Sequence, residues 1–199
     1  MHTIAGKMLM ASTIVMGLSA EYTQAQDQLS GVPAANPKTA GMVAPNILTP
    51  ELEQIVWASG ATKLENPTDL IGFYGYNNDG PHMPAPGAVQ TAGSTIEASK
   101  TEPDKNTYLV LHGQTGPDNH YDYGSRFLFQ GHEGGKQGYI TRINLEADGL
   151  HRTTLMADKD VEGKPLPLFD GSTWYPWAQR LLFTAEAGKN GGVWQATVS

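Results

Sequence analysis

Residues 126–145 read Arg126-Phe127-Leu128-Phe129-Gln130-Gly131-His132-Glu133-Gly134-Gly135-Lys136-Gln137-Gly138-Tyr139-Ile140-Thr141-Arg142-Ile143-Asn144-Leu145. Two runs rich in aromatic and branched side chains, Arg126–Gln130 and Tyr139–Leu145, flank the glycine cluster Gly134-Gly135. Within the second run Ile140, Arg142 and Asn144 alternate with Tyr139, Thr141 and Ile143, the period of a strand. Working outward, similar runs recur at Thr107–His112, Arg152–Met156, Arg180–Ala185 and Val193–Val198. Turn clusters separate them: Ala147-Asp148-Gly149, Asp170-Gly171 and Asn190-Gly191-Gly192. Short strands with turn signals between them, and no helical pattern intervening, predict an all-β antiparallel meander in place of a βαβ fold. Six such strands supply about one and a half four-stranded blades, a partial β-propeller. After Val193–Val198 only Ser199 follows, so the sheet edges stay open and the architecture reads as incomplete.

Upstream the chain changes character. Lys7 precedes the apolar run Met8–Leu18, which leads into polar residues ending at Thr23-Gln24-Ala25. That order predicts a secretory signal peptide over residues 1–25, cleaved near Ala25. The run is shorter than the ~20 apolar residues of a membrane-spanning helix, and no other segment is long and apolar enough, so the mature chain is expected to have no membrane span. Without a twin arginine, the general secretory route fits, and the protein is expected to be secreted or periplasmic. Residues 26–48 are small, polar and proline-rich and read as an extended linker. One helix signal follows: Thr49 as cap, Pro50 at the first position, Glu51 and Glu53 in the first turn. Leu52, Ile55 and Val56 then share a face, and Gly60 offers a stop, which predicts a short helix of about three turns. Residues 49–199 therefore read as the N-terminal portion of the propeller. Within them residues 72–106 alternate aromatics with turn formers and predict little regular structure.

Composition narrows function. The 199 residues carry 13 Lys and Arg against 20 Asp and Glu, a net charge of −7. No Lys/Arg cluster is present to neutralise a phosphate backbone, which argues against nucleic-acid binding. Cysteine is absent. That excludes disulfides, a thiolate zinc site and a cysteine nucleophile. Hydrophobic residues at 39% leave enough apolar mass for a core.

Several familiar motifs fail. Gly124-Ser125-Arg126 lacks the second glycine of a nucleophile elbow. Gly134-Gly135-Lys136 lacks the first glycine and the Ser or Thr of a phosphate-binding loop. His132-Glu133 opens like a zinc-protease helix motif, but Lys136 stands where its second histidine belongs. Asp158-Lys159-Asp160-Val161-Glu162-Gly163 begins like a calcium loop, yet Phe169 occupies the closing position, so a hairpin tip is the better reading. What survives is a pair of acidic strand ends. Glu133 follows Phe127-Leu128-Phe129, and Glu186 follows Leu181-Leu182-Phe183-Thr184-Ala185, with Asp170-Gly171-Ser172-Thr173-Trp174 just before that run. Carboxylates from strand ends converging on one mouth would suit an oxygen-ligand cation such as calcium.

The run Tyr121-Asp122-Tyr123-Gly124-Ser125-Arg126-Phe127-Leu128-Phe129-Gln130-Gly131-His132-Glu133, continued by Gly138-Tyr139-Ile140-Thr141-Arg142-Ile143-Asn144-Leu145, resembles the secreted branch of the PhoX-type alkaline phosphatase family. Asp170–Trp177, Phe183–Glu186 and Tyr76-Asn77-Asn78-Asp79-Gly80-Pro81 extend the likeness, which covers most of the chain after residue 70. The resemblance implies an extracytoplasmic bacterial β-propeller that hydrolyses small phosphomonoesters with calcium and iron. It implies Glu133 and Glu186 as metal ligands and His132 as a phosphate contact or a support to the ligands. The phosphatase members hold iron through a cysteine, which this chain lacks. A non-catalytic, calcium-stabilised propeller serving as a binding or envelope scaffold is the alternative from a different class.

Overall fold

The computed structural model describes Ser30, residues 48–80 and residues 98–198. The signal segment, all but two residues of the linker and the proline-rich stretch 81–97 lie outside them. The chain divides into Met1–Gln54 and Ile55–Ser199. The second unit holds seven strands: β1 Thr101–Val110, β2 Arg126–Gly134, β3 Tyr139–Asn144, β4 Thr153–Ala157, β5 Phe169–Tyr175, β6 Arg180–Ala185 and β7 Val193–Ala196. They form two antiparallel meanders, a four-stranded sheet in the order β1-β2-β3-β4 and a three-stranded sheet in the order β5-β6-β7. The class is all-β. The only helical piece among the described residues is a single 3-10 turn, Gly188–Asn190.

The β2–β3 hairpin is where the sequence signal was strongest, and its register runs from Phe127 opposite Asn144 to His132 opposite Tyr139. Every residue of β3 is buried, because both faces of this sheet are covered. On one face Phe127, Phe129 and Ile140 pack with Phe169, Leu181 and Phe183 of the second sheet. On the other face Tyr139 and Leu155 pack with Leu64 and Ile71 of the segment that precedes β1. Arg142 lies within the first core, 1% exposed, its guanidinium about equally distant from the Tyr123 and Phe127 rings at 5.1 and 5.0 Å. Its Nη1 donates to the Thr115 carbonyl at 2.9 Å, so the cation is held by aromatic faces and a backbone oxygen.

The glycine of β2 sets the distance between the sheets. A Cβ built on Gly131 would lie 2.7 Å from the Phe169 Cβ and 3.2 Å from Phe183. The missing side chain thus admits the second sheet.

Three expectations are corrected. The helix from Pro50 does not form; one turn, closed by the Leu52 N–H to the Thr49 carbonyl at 3.0 Å, is all that remains of it. A three-turn amphipathic helix is marginal unless its apolar stripe is buried, and Leu52, Ile55 and Val56 are all exposed. Trp57 instead lies under the Arg152 guanidinium at 5.2 Å. β5 was read as a turn because of Asp170-Gly171. The pair falls where the β5–β6 register slips between Phe169 and Ser172, and the Gly171 N–H is taken by Thr184 Oγ1 at 2.9 Å. An Asp-Gly pair inside a bulge leaves the strand intact on both sides. β1 begins at Thr101, six residues before the expected start, because Pro103-Asp104-Lys105 is carried in a second irregularity between Pro103 and Asn106. Proline is tolerated on a strand that has a neighbour on one side only.

Candidate functional site

β2 does not stop at Gln130. It continues through Gly131, His132, Glu133 and Gly134, so His132 and Glu133 sit on a paired strand and not past its end. Strand alternation then sends them to opposite faces. Glu133 shares the face of Gly131, Phe129 and Phe127, toward the second sheet. Glu186 stands one residue past β6, its N–H fixed to the Leu168 carbonyl at 3.2 Å. The Glu186 carboxyl neighbours that of Glu133, and hydrogen bonding to it is the largest influence on Glu133. That hydrogen bond, followed by burial and the negative charges of Glu186, Asp104 and Glu102, pushes Glu133 up from 4.5 to about 7.

A second pair stands beside the first. Asp104, on the β1 irregularity, neighbours Asp170 on the β5 bulge, and hydrogen bonding to Asp170, burial and its like charge raise the Asp104 carboxyl above its ordinary value. The carbonyl of Asp104 is held by the Gln130 side-chain amide, and Ser172 Oγ donates to the neighbouring Lys105 carbonyl at 2.7 Å. Glu102 lies directly across from Glu133 on β1. Five carboxylates from β1, β2, β5 and the end of β6 thus gather where the two sheets meet. Lys136, two residues past the end of β2, is engaged by Asp79 at 3.2 Å.

The sequence singled out Glu133 and Glu186, and the structure brings them together. It noted Asp170 only as a neighbour of the β6 run and missed Asp104 and Glu102, which sit in a stretch read as irregular. Their signal would have been a proline-interrupted edge strand carrying three acidic or amide side chains.

His132 goes elsewhere. It is fully buried, stacked on Tyr139 at 4.1 Å and met edge-on by Tyr74 at 5.0 Å. Its Nε2 shares a hydrogen bond with Thr141 Oγ1 at 2.8 Å, and its Nδ1 has no hydrogen-bond partner among the described residues. Burial drives its pKa down to about 3, so the ring is neutral. The strand backbone separates it from the carboxylates, and this placement gives it a packing role. Asp158–Gly163 is the expected hairpin tip: Asp160 Oδ1 accepts the N–H groups of Glu162 and Lys164 at 2.9 and 2.8 Å.

The donor set decides what the cluster can hold. All five side chains offer oxygen, the preference of calcium. In kind they fit that ion; in number they fall short of its shell, since among the described residues no three His, Asp or Glu side chains are arranged to hold a metal. For iron, the imidazole of His132 faces away and no thiolate exists in the chain. Compared with models of known protein families, with curated proteins and with solved structures, the chain matches none.

Proposed function

We propose that this chain is the N-terminal portion of an exported, PhoX-like β-propeller in which Glu133 and Glu186 hold calcium, and that the assembled propeller hydrolyses small phosphomonoesters. The observation that carries this reading is the convergence of Glu133 and Glu186 from separate sheets. Two acidic strand ends distant in sequence come to neighbour each other, and Glu186 raises the Glu133 carboxyl, a costly arrangement unless a cation resolves it. Antiparallel meanders of four and three strands are what successive blades would supply. Calcium, when bound, would neutralise phosphate oxygens and orient the ester. The chain's own part is to present oxygen donors on rigid strands and to keep their spacing through the Gly131 contact.

The scaffold alternative draws on a separate observation. His132 is sealed in the core, so its imidazole does not reach the carboxylates for proton transfer. Calcium titration of the chain, followed by its thermal melt, tests the metal. Binding should raise Tm, and both Glu133→Gln and Glu186→Gln should abolish the rise. An unchanged rise in both variants would remove these residues from the site. Hydrolysis of 4-nitrophenyl phosphate by the calcium-loaded, assembled propeller supports the enzyme; calcium binding there with no turnover supports the scaffold.

A further inference from the structure

Behind the four-stranded sheet, residues 55–80 run as a strap, and one buried carboxylate fastens it. Glu65 Oε1 accepts from the Tyr123 hydroxyl at 2.5 Å and from His151 Nδ1 at 2.7 Å, while Oε2 accepts from Thr154 Oγ1 at 3.3 Å. The His151 and Glu65 side chains are 13% and 7% exposed, so this ion pair is largely withdrawn from water. Backbone bonds frame it. The Glu65 N–H donates to the Thr153 carbonyl at 2.9 Å. Asn66 brackets Leu155, accepting its N–H at 2.8 Å and donating to its carbonyl at 2.9 Å. His151 is itself held flat against Tyr121, ring centroids 3.8 Å apart, and its N–H is taken by Asp148 at 3.2 Å.

We infer that Glu65 and His151 form a pH-dependent clasp: with the imidazole protonated the strap is held against β4, and with the imidazole neutral that hold loosens. The inference is independent of any metal or phosphatase role. Among the charged and titratable groups around the imidazole, the carboxylates favour its cationic form. Glu65 faces it from the strap, Asp118, Tyr121 and Tyr123 from the segment before β2, and Asp148 and Arg152 from its own turn. Arg142, on β3, lies beyond Tyr123. The hydrogen bond to Glu65 and the charges of Glu65, Asp148 and Asp118 outweigh burial and raise His151 above its ordinary 6.5. A group raised on folding stabilises fully below its unfolded value, and the contribution is lost as pH climbs through the folded one. The clasp is therefore shut in mild acid and slackens in mild alkali. When the imidazole loses its proton, a neutral Nδ1–H still reaches Glu65, but the bond is no longer charge-assisted.

Hydrogen exchange in the full chain tests this. After correction for intrinsic rates, opening at the Glu65 and Leu155 amides should increase between about pH 6 and pH 9, by about tenfold for each unit by which the clasp raises the imidazole. Amides of β6 should not follow. In His151→Asn, which keeps a donor that does not titrate, the increase should vanish. In Glu65→Gln the His151 imidazole, followed by NMR, should titrate at lower pH than in the wild type. The same pH dependence in His151→Asn, or an unshifted imidazole in Glu65→Gln, overturns the inference. If Glu65→Gln does not fold, the comparison of wild type with His151→Asn decides alone.

Discussion

Replacing Gly131 with alanine perturbs the contact that sets the spacing of the two sheets. The added Cβ would stand 2.7 Å from the Phe169 Cβ and 3.2 Å from the Phe183 ring. Carbon atoms rest at about 3.5–4.0 Å, so β5 must retreat by close to ~0.8 Å or the strand must twist. Gly131 is not in the left-handed region, so alanine suffers no backbone penalty, and its smaller unfolded-state entropy returns about 0.4–1 kcal/mol. Overpacking of a close-packed interior costs about 1–3 kcal/mol. The net expectation is a loss of about 1–2 kcal/mol, or a Tm lowered by about 2–8 °C for a chain of this size. Gly149→Ala is the matched control, because a Cβ there meets nothing within 4 Å; its Tm should stay level or rise. The assay is thermal unfolding followed by near-ultraviolet circular dichroism, which reports the Trp174 and Trp194 environments against the shared core. A Gly131→Ala protein that melts with or above Gly149→Ala would refute the argument that this glycine exists for sheet packing.

The carboxyl pair predicts a pH effect with a definite sign. Glu133 is raised from 4.5 to about 7, so its contribution to stability is full below the lower value and disappears as pH rises through the higher one. Without calcium, Glu133→Gln should lessen the fall of Tm across that window; parallel Tm curves would contradict it. Tyr74→Phe removes the buried hydroxyl that donates to Gln130 Oε1, leaving that acceptor unpaired at a cost of about 1–3 kcal/mol by urea unfolding. Trp177 is 84% exposed, so Trp177→Ser should change stability by less than about 0.5 kcal/mol while reducing self-association measured by sedimentation.

How much of this could be read in the chain depends on the range of the interactions. The β2–β3 hairpin was legible because its signals are local: aromatic and branched runs in period two around paired glycines. β5 was not, since Asp170-Gly171 carries the same local signal whether it ends a strand or sits in a bulge, and only the pairing with β6 distinguishes the two. The segment from Pro50 had every local mark of a helix and forms none, because short helices draw their stability from a surface to pack on. In the site, Glu133 and Glu186 could be proposed as strand-end acids, but Asp104 joined them only through a strand irregularity and a partner 66 residues away on β5.

The sequence by itself determined the class, an antiparallel all-β fold, and the acidic character of its strand ends, because hydrophobic period and turn chemistry are properties of neighbouring residues. Tertiary structure alone decided which side of β2 each residue serves. His132 and Glu133 are adjacent, yet one is a neutral ring sealed against Tyr139 and the other a carboxyl raised by its neighbour Glu186. The pleat separates them, and what covers each face, the strap on one and the second sheet on the other, converts that separation into a desolvated imidazole and a crowded carboxylate.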